Sequence, residues 1–505
     1  MKGTIAAGDK LTAEAGGEIL KAGGNAFDAA IAAAFAAPLT EPALTSLGGG
    51  GFLLGIEKNS KPIVYDFFVD VPPKRIENPD FYPVYVDFGS AVQEFHIGCG
   101  SIAIPGMVAG LLRVHQEKGK LPLEEVIKPA VRYAKEGIFL SKTQASFIKL
   151  LEPIFTATEE ARKIYAPNGK LINEKTLFKN PDYADFLENL AKEGSWIFYE
   201  GEIADKIENL SLQRNGLIRK EDLRKYKVEE KNSISFSFKK YKIHTNPPPS
   251  LGGILISFSL RLLENENLKE FGSLSHISAL IESMYTTQLF RKEKINDNVF
   301  SDLSFFLEDK EILEKYKQIF KKRLNLWGNT THISVLDEEG NAVSMTTTNG
   351  EGSGCVIPKT GIMLNNMLGE EDLNPQGFFK YPPYVRLPSM MSPTIVLQNE
   401  TPFLILGSAG SNRIRSAIIQ TVLNVLVFRK HVKEAVELPR IHYENGIVYF
   451  EPGFNQEVIE KTKQFYKTIL FKEKSLFFGG VQAVFKDFSG AGDPRRGGYS
   501  LAILK

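Results

Sequence analysis

The segment from Asn329 to Thr348 constrains the fold more than any other part of this 505-residue chain. It reads N-T-T-H-I-S-V-L-D-E-E-G-N-A-V-S-M-T-T-T. Two runs of alternating apolar and polar residues flank Glu338-Glu339-Gly340. Alternation of period two marks paired strands. A glycine closing a three-residue loop supplies the positive φ that such a hairpin needs. Pairing Asp337 with Asn341 then sets Val335 against Val343, Ser334 against Ser344 and Ile333 against Met345, and brings Thr330 opposite Thr348. One face carries Ile333, Val335, Val343 and Met345. The other carries Thr330, His332, Ser334, Ser344, Thr346 and Thr348. Two hydroxyls side by side suit nucleophilic chemistry. A strand pair that takes threonine for packing explains the same pattern.

Composition narrows the class. Apolar residues make up 43% of the chain and charged residues 24%, with a net charge of +1, the profile of a soluble globular enzyme. Nothing in that balance calls for nucleic acid or an anionic membrane. Basic runs such as Phe320-Lys321-Lys322-Arg323 read as a solvated helix face. The only two cysteines, Cys99 and Cys355, form no C-x-x-C pair and no disulfide framework. The seven histidines are scattered without H-E-x-x-H, so no metal and no organic cofactor is expected. The N-terminus has no apolar signal region, and the apolar run Ala29 to Leu39 is too short for a bilayer. A cytoplasmic enzyme is the expectation.

Residues 11–40 read as two helices, the first ending at Gly23-Gly24 and the second capped by Asn25 with Asp28 three residues on. Gly48–Gly51 fits neither a P-loop nor G-x-G-x-x-G. It reads as a tight turn into a buried strand, with close approach of substrate as a further use. Residues 61–71 form a strand, and 123–137 and 183–193 form amphipathic helices. The stretch from about 110 to 325 is mostly helical, broken by a rigid proline loop at 246–253. Pro393–Leu397 and Phe403–Gly407 form a second hairpin. Gly407–Arg413 then opens a helix running to about Arg429, with exposed N–H groups at its start.

Several of these segments together point to a family. A-G-G-N-A-F-D-A-A at 22–30, the Gly48–Gly51 run, P-G-M-V-A-G at 105–110, P-P-P-S-L-G-G at 247–253, T-T-H-I-S-V at 330–335, Asn365-Asn366, S-P-T-I-V at 392–396 and A-G-D-P-R at 491–495 occur in one order along the whole chain. In that ordered set the chain resembles the γ-glutamyltransferase (γ-glutamyltranspeptidase) family of N-terminal nucleophile hydrolases. The resemblance implies an α+β fold, a four-layer αββα sandwich. It also implies a precursor that cuts itself between Asn329 and Thr330, giving a large subunit 1–329 and a small subunit 330–505 that remain one structural domain. Thr330 would be the nucleophile and Thr348 its hydrogen-bonding neighbour. The backbone N–H groups of Gly410 and Ser411 would form the oxyanion hole. Asn349 and Glu370 would bind the substrate amine, and Ser389 its carboxylate.

Three positions depart from the pattern. Phe68 stands where an arginine is expected, Met390 replaces a second serine and Met367 a glutamine. Losing a bidentate arginine removes the strongest carboxylate contact, which Arg386 or Arg413 would have to replace. The stretch Asp372 to Leu387 looks short for a lid, which suggests an open cleft. The main reading is therefore a self-processing enzyme that cleaves γ-glutamyl amides of the glutathione type, passing the acyl group to water or to an amino acid or peptide. An acylase for dicarboxylyl amides and a non-catalytic binding protein of the same fold are the alternatives. A serine hydrolase is disfavoured because G-x-S-x-G is absent. A homo-oligomer is compatible with the sequence.

Overall fold

The computed structural model describes residues 1–87, 92–295 and 330–504. Asn329, the residue before the expected cut, and the basic run at 320–323 lie outside the described residues.

The strands that matter here, in chain order, are β1 (Gly3–Ala7), β2 (Gly50–Ile56), β3 (Ile63–Phe67), β4 (Glu229–Asn232), β5 (Ile234–Phe238), β6 (Tyr241–Thr245), β7 (Thr331–Asp337), β8 (Ala342–Thr348), β9 (Thr394–Gln398), β10 (Thr401–Ala409), β11 (Gly480–Phe485), β12 (Gly490–Gly492) and β13 (Tyr499–Ile503). They make two antiparallel sheets, ordered β13-β1-β7-β8-β2-β3-β4 and β12-β11-β10-β9-β6-β5. The sheets pack face to face through β7, β8, β10 and β11. Helices α1 (Lys10–Lys21) and α2 (Ala26–Thr40) cover the first sheet. Helices α3 (Gly252–Leu263) and α4 (Arg413–Leu426) cover the second. The expected αββα sandwich is therefore the observed one.

The β7–β8 hairpin sits at the centre of the first sheet, in the expected register: Ile333 pairs with Met345, Ser334 with Ser344 and Val335 with Val343. Gly340 closes its loop at φ +91°. The apolar face joins a core with the alanines of α2. That helix is buried on nearly all sides, and small side chains let it lie close to the sheet. Its capping box of Asn25 and Asp28 forms as expected, and Asp337 adds a further acceptor for the N–H of Ala26 at 2.9 Å.

The polar face of the hairpin does not meet water. It lies between the two sheets and is graded along its length. Leu336 and Ala342 join an apolar plug with Ile395, Ile405 and Val484. Ser334 and Ser344 come next and donate to the carbonyls of Gln482 (3.1 Å) and Leu406 (2.9 Å) in the opposite sheet. His332 follows, bonded to Thr346 at 2.7 Å and Ser334 at 3.0 Å. Buried polar groups persist only when they are hydrogen-bonded, and this ladder satisfies them up to the open end, where Thr330 and Thr348 stand.

One expectation needs correction. The stretch 229–245 is not helical but carries β4, β5 and β6. The alternation in I-S-F-S-F, with Ile234, Phe236 and Phe238 buried, is the signal that marks it. The glycine run at 48–51 is the expected tight turn into a buried strand. A Cβ on Gly49 would stand 2.1 Å from the carbonyl oxygen of Thr348, so glycine lets β2 lie tight against the end of β8.

Candidate active site

Thr330 and Thr348 line one small cavity with Phe68, Glu370, Asp372, Leu373, Ser389, Met390, Met391, Ser411 and Ile414. Its volume is about 30 Å³, room for one or two waters. Among the described residues the cavity is narrow rather than the open cleft expected from the short 372–387 stretch. That stretch is strapped down by bonds from Tyr384 N to the Val71 carbonyl (2.8 Å) and from Leu387 N to the Val69 carbonyl (3.0 Å), and Asp372 and Leu373 line the site.

The hairpin register delivers both threonines to the cavity. Thr348 Oγ1 accepts the N–H of Gly350 at 3.0 Å, which fixes its rotamer. Thr331, on the opposite strand face, is anchored from behind: its hydroxyl donates to Glu41 at 2.6 Å, and Thr12 donates to the same carboxyl at 2.7 Å. Burial pushes the Glu41 carboxyl up to about 7. Burial also holds the His332 imidazole down at about 3, so this histidine is a neutral structural link rather than a base.

The turn expected to form the oxyanion hole follows β10. Gly410 has φ +116° and Ser411 φ +50°, a sharp turn whose carbonyls accept from the N–H groups of Arg413 (2.9 Å) and Ile414 (3.0 Å) as α4 begins. Ser411 reaches the cavity, and its hydroxyl donates to Asp372. Gly410 lies just behind, against Gly479 and Arg496.

One wall is acidic. Glu370 and Asp372 line the cavity. Burial raises the carboxyl of Glu370 well above its usual range, with Glu351 and then Asp372 adding to the rise. Asp372 is raised by burial as well. The Oε1 atom of Glu370 is buried without a hydrogen-bond partner. Glu351 and Asp372 were not singled out in the sequence, because they come from turns that carry no period. Asn349 is buried, with its Oδ1 unpartnered, but it does not line the cavity.

The other wall is apolar: Phe68, stacked on Phe52 at 5.4 Å, with Met390 and Met391. Of the three departures from the family pattern, Phe68 and Met390 face the cavity and Met367 is buried away from it. Ser389 remains at the wall. Neither proposed substitute arginine arrives. Arg386 is held by Asp66 (2.9 Å), Asp70 (2.7 Å) and the carbonyl of Lys227 (2.7 Å). Arg413 pairs with Glu444 at 3.3 Å over the ring of Phe477. No arginine is among the residues described as lining the cavity.

The sequence matches the family model for gamma-glutamyltranspeptidase over residues 12–503. It is 30% identical to the glutathione hydrolase proenzyme of Escherichia coli (strain K12), over 98% of this chain and 90% of that one. It is 28% identical to the glutathione hydrolase proenzyme of Bacillus subtilis (strain 168), over 99% and 91%. In fold it is similar to the cephalosporin acylase from Bacillus halodurans, with a TM-score of 0.88 at 24% identity and coverage of 100% and 96%.

Proposed function

The chain belongs to the γ-glutamyltranspeptidase family, and from that premise we propose that it is a self-processing hydrolase of γ-glutamyl amides working through an acyl ester on Thr330. The observation that carries this reading is one cavity lined by Thr330, Thr348, the oxyanion loop and a pair of buried carboxyls.

In the precursor, the hydroxyl of Thr330 attacks the carbonyl carbon of Asn329. The peptide bond becomes an ester, and water hydrolyses it. Thr330 then carries a free α-amine, which titrates at about 7.7–8.0 and so serves as its own base near neutral pH. The amine takes the Thr330 proton as the oxygen attacks the substrate amide. The N–H groups of Gly410 and Ser411 stabilise the oxyanion. The proton passes to the leaving amine, and water repeats the sequence to free the acid. The two halves share both sheets. Strands β7 and β8 run between β1 and β2, which supports a pair of subunits that stay together after the cut.

The acidic wall selects the substrate. An ammonium placed against Glu370 and Asp372 restores the charge that burial and mutual repulsion suppress. A γ-glutamyl group brings that ammonium, whereas a dicarboxylyl group brings only another carboxylate. The apolar side, Phe68, Met390 and Met391, is what favours the acylase alternative. With no arginine on the wall, recognition rests on the amine more than on the α-carboxylate. The small cavity favours water over a bulky acceptor.

Mass spectrometry of purified protein tests the reading. The expected result is two fragments, the smaller beginning Thr-Thr-His-Ile, while Thr330→Ala stays one chain without turnover. An intact, active single chain overturns the mechanism, and faster cleavage of glutaryl than of γ-glutamyl anilides overturns the substrate.

A further inference from the structure

The only two cysteines of the chain, far apart in sequence, meet in the fold. The Sγ atoms of Cys99 and Cys355 and a carboxylate oxygen of Asp80 all lie within 4.8 Å of one another. Both thiols are free and buried. The segments that bear them are tied together. Gly98 N donates to the Ser353 carbonyl at 2.9 Å, Cys355 N to the Ser353 hydroxyl at 3.1 Å, and Cys99 N to the Asp80 carboxylate at 2.9 Å. Sequence spacing hides this meeting, because it depends on the packing of two loops.

The cut before Thr330 puts Cys99 on one product and Cys355 on the other. We propose that Cys99 and Cys355 form a disulfide that joins the two halves of the processed enzyme covalently. The location of the bridge between halves rests on the self-cleavage reading, whereas the pairing of the thiols does not. Closing a disulfide brings the sulfurs to about 2.05 Å, from the 4.8 Å or less that separates them here. The oxidant is a small-molecule disulfide. One thiolate attacks it and releases a thiol, leaving a mixed disulfide. The second cysteine attacks the protein sulfur, loses its proton and releases the second thiol, so two electrons pass from the cysteine pair to the small molecule. Asp80 is only partly buried and Tyr82 beside it is exposed, which leaves a rim for that molecule. The hydrogen bond with Cys355 and burial push the Cys99 thiol up. The bridge forms where disulfides outweigh thiols and stays open in a reducing compartment.

The bridge also has a place in the site. Cys355 lies four residues beyond Glu351, and Asn366 ties the two segments by accepting from Glu351 N (2.9 Å) and donating to the His96 carbonyl (3.3 Å). A closed bridge therefore fixes the back of the acidic wall to the other half of the protein.

The test equilibrates the purified full-length protein in mixtures of 2-mercaptoethanol and its disulfide, quenches with acid, then denatures with a chelator and tags thiols with a maleimide-linked polymer. At the oxidising end the expected result is no tag. A non-reducing denaturing gel should show one species that reductant splits into the two halves. Cys99→Ser and Cys355→Ser should each take one tag and run as two halves without reductant. Two tags on the wild type at the oxidising end overturn the bridge. So does stoichiometric zinc released with both thiols taggable, which assigns the pair to a metal. A single uncut chain on the reducing gel sinks self-cleavage instead, and the tag count still decides the bridge.

Discussion

The hairpin β7–β8 and the cavity wall opposite it are built by different means. In the hairpin, one loop glycine and a period of two fix every pair from Leu336–Ala342 to Thr331–Thr347, and the same register carried one step on sets Thr330 against Thr348, which line one cavity. The wall is gathered from Phe68, Glu370–Leu373, Ser389–Met391 and the turn at Ser411, and only long-range packing brings these together. The contrast teaches where each kind of change will act. The proposed nucleophile is placed by local geometry and should fail all at once when that geometry is disturbed. The wall is a mosaic whose pieces can be exchanged, and exchanging them changes the choice of substrate.

The sharpest way to break this comparison is inside the hairpin. Thr348→Ala is expected to lower turnover on the order of 10²–10³-fold, the usual cost of a lost group that orients charge in the transition state. Thr347→Ala, one residue away on the other face, loses its 3.0 Å bond to Thr45 and should cost stability of about 1 kcal/mol with turnover kept. Steady-state kinetics and urea midpoints of the two variants decide it, and equal behaviour would mean that the faces are misassigned.

The wall should respond in binding. Glu370→Gln is expected to raise KM for a γ-glutamyl anilide about ten- to a hundredfold, the loss of a charge-assisted contact, with kcat changed far less. A fall in kcat alone would move Glu370 from the wall to the chemistry.

One buried acid lets pH probe the hairpin by itself. Glu41 stands behind the hairpin, and burial raises its folded carboxyl to about 7 against an unfolded value of about 4.3. The folded protein thus keeps that proton longer than the unfolded one. The stabilisation is complete below the unfolded value and is lost as pH rises through about 7, roughly 3–4 kcal/mol in all. Glu41→Gln cannot ionise, so its stability relative to wild type should climb across that window. Parallel pH curves for the two proteins would remove Glu41 from the account.

The smallest effect expected is a gain. Phe68→Arg places a guanidinium on the apolar side and should raise kcat/KM for γ-glutamyl anilides by less than about tenfold, because Met390 still denies the carboxylate its second hydroxyl. A loss instead would show that another group already binds that carboxylate.

The same contrast explains what the sequence disclosed. Register, faces and the placement of Thr348 were legible because periodicity and a positive-φ glycine are local signals. The capping box on α2 was legible for the same reason. The strands at 229–245 were missed although Ile234, Phe236 and Phe238 alternate, because lysines and glutamates on either side read as helix faces. Glu351 and Asp372 could not be found locally, since what sets them apart is their crowding around Glu370. Nor could the engagement of Arg386 by Asp66 and Asp70 be read from spacing, and this is what rules it out as a substitute for the missing arginine.

The central position of the hairpin has a consequence for quality control. In the sheet β7 lies against β1 and β8 against β2, partners drawn from the first sixty residues of the chain. Under the proposed self-cleavage, the bond before Thr330 acts as a folding sensor that fires once. On that reading, a chain that has not closed both ladders does not cut itself, and the fraction left uncut in a preparation counts the molecules that never completed the sheet.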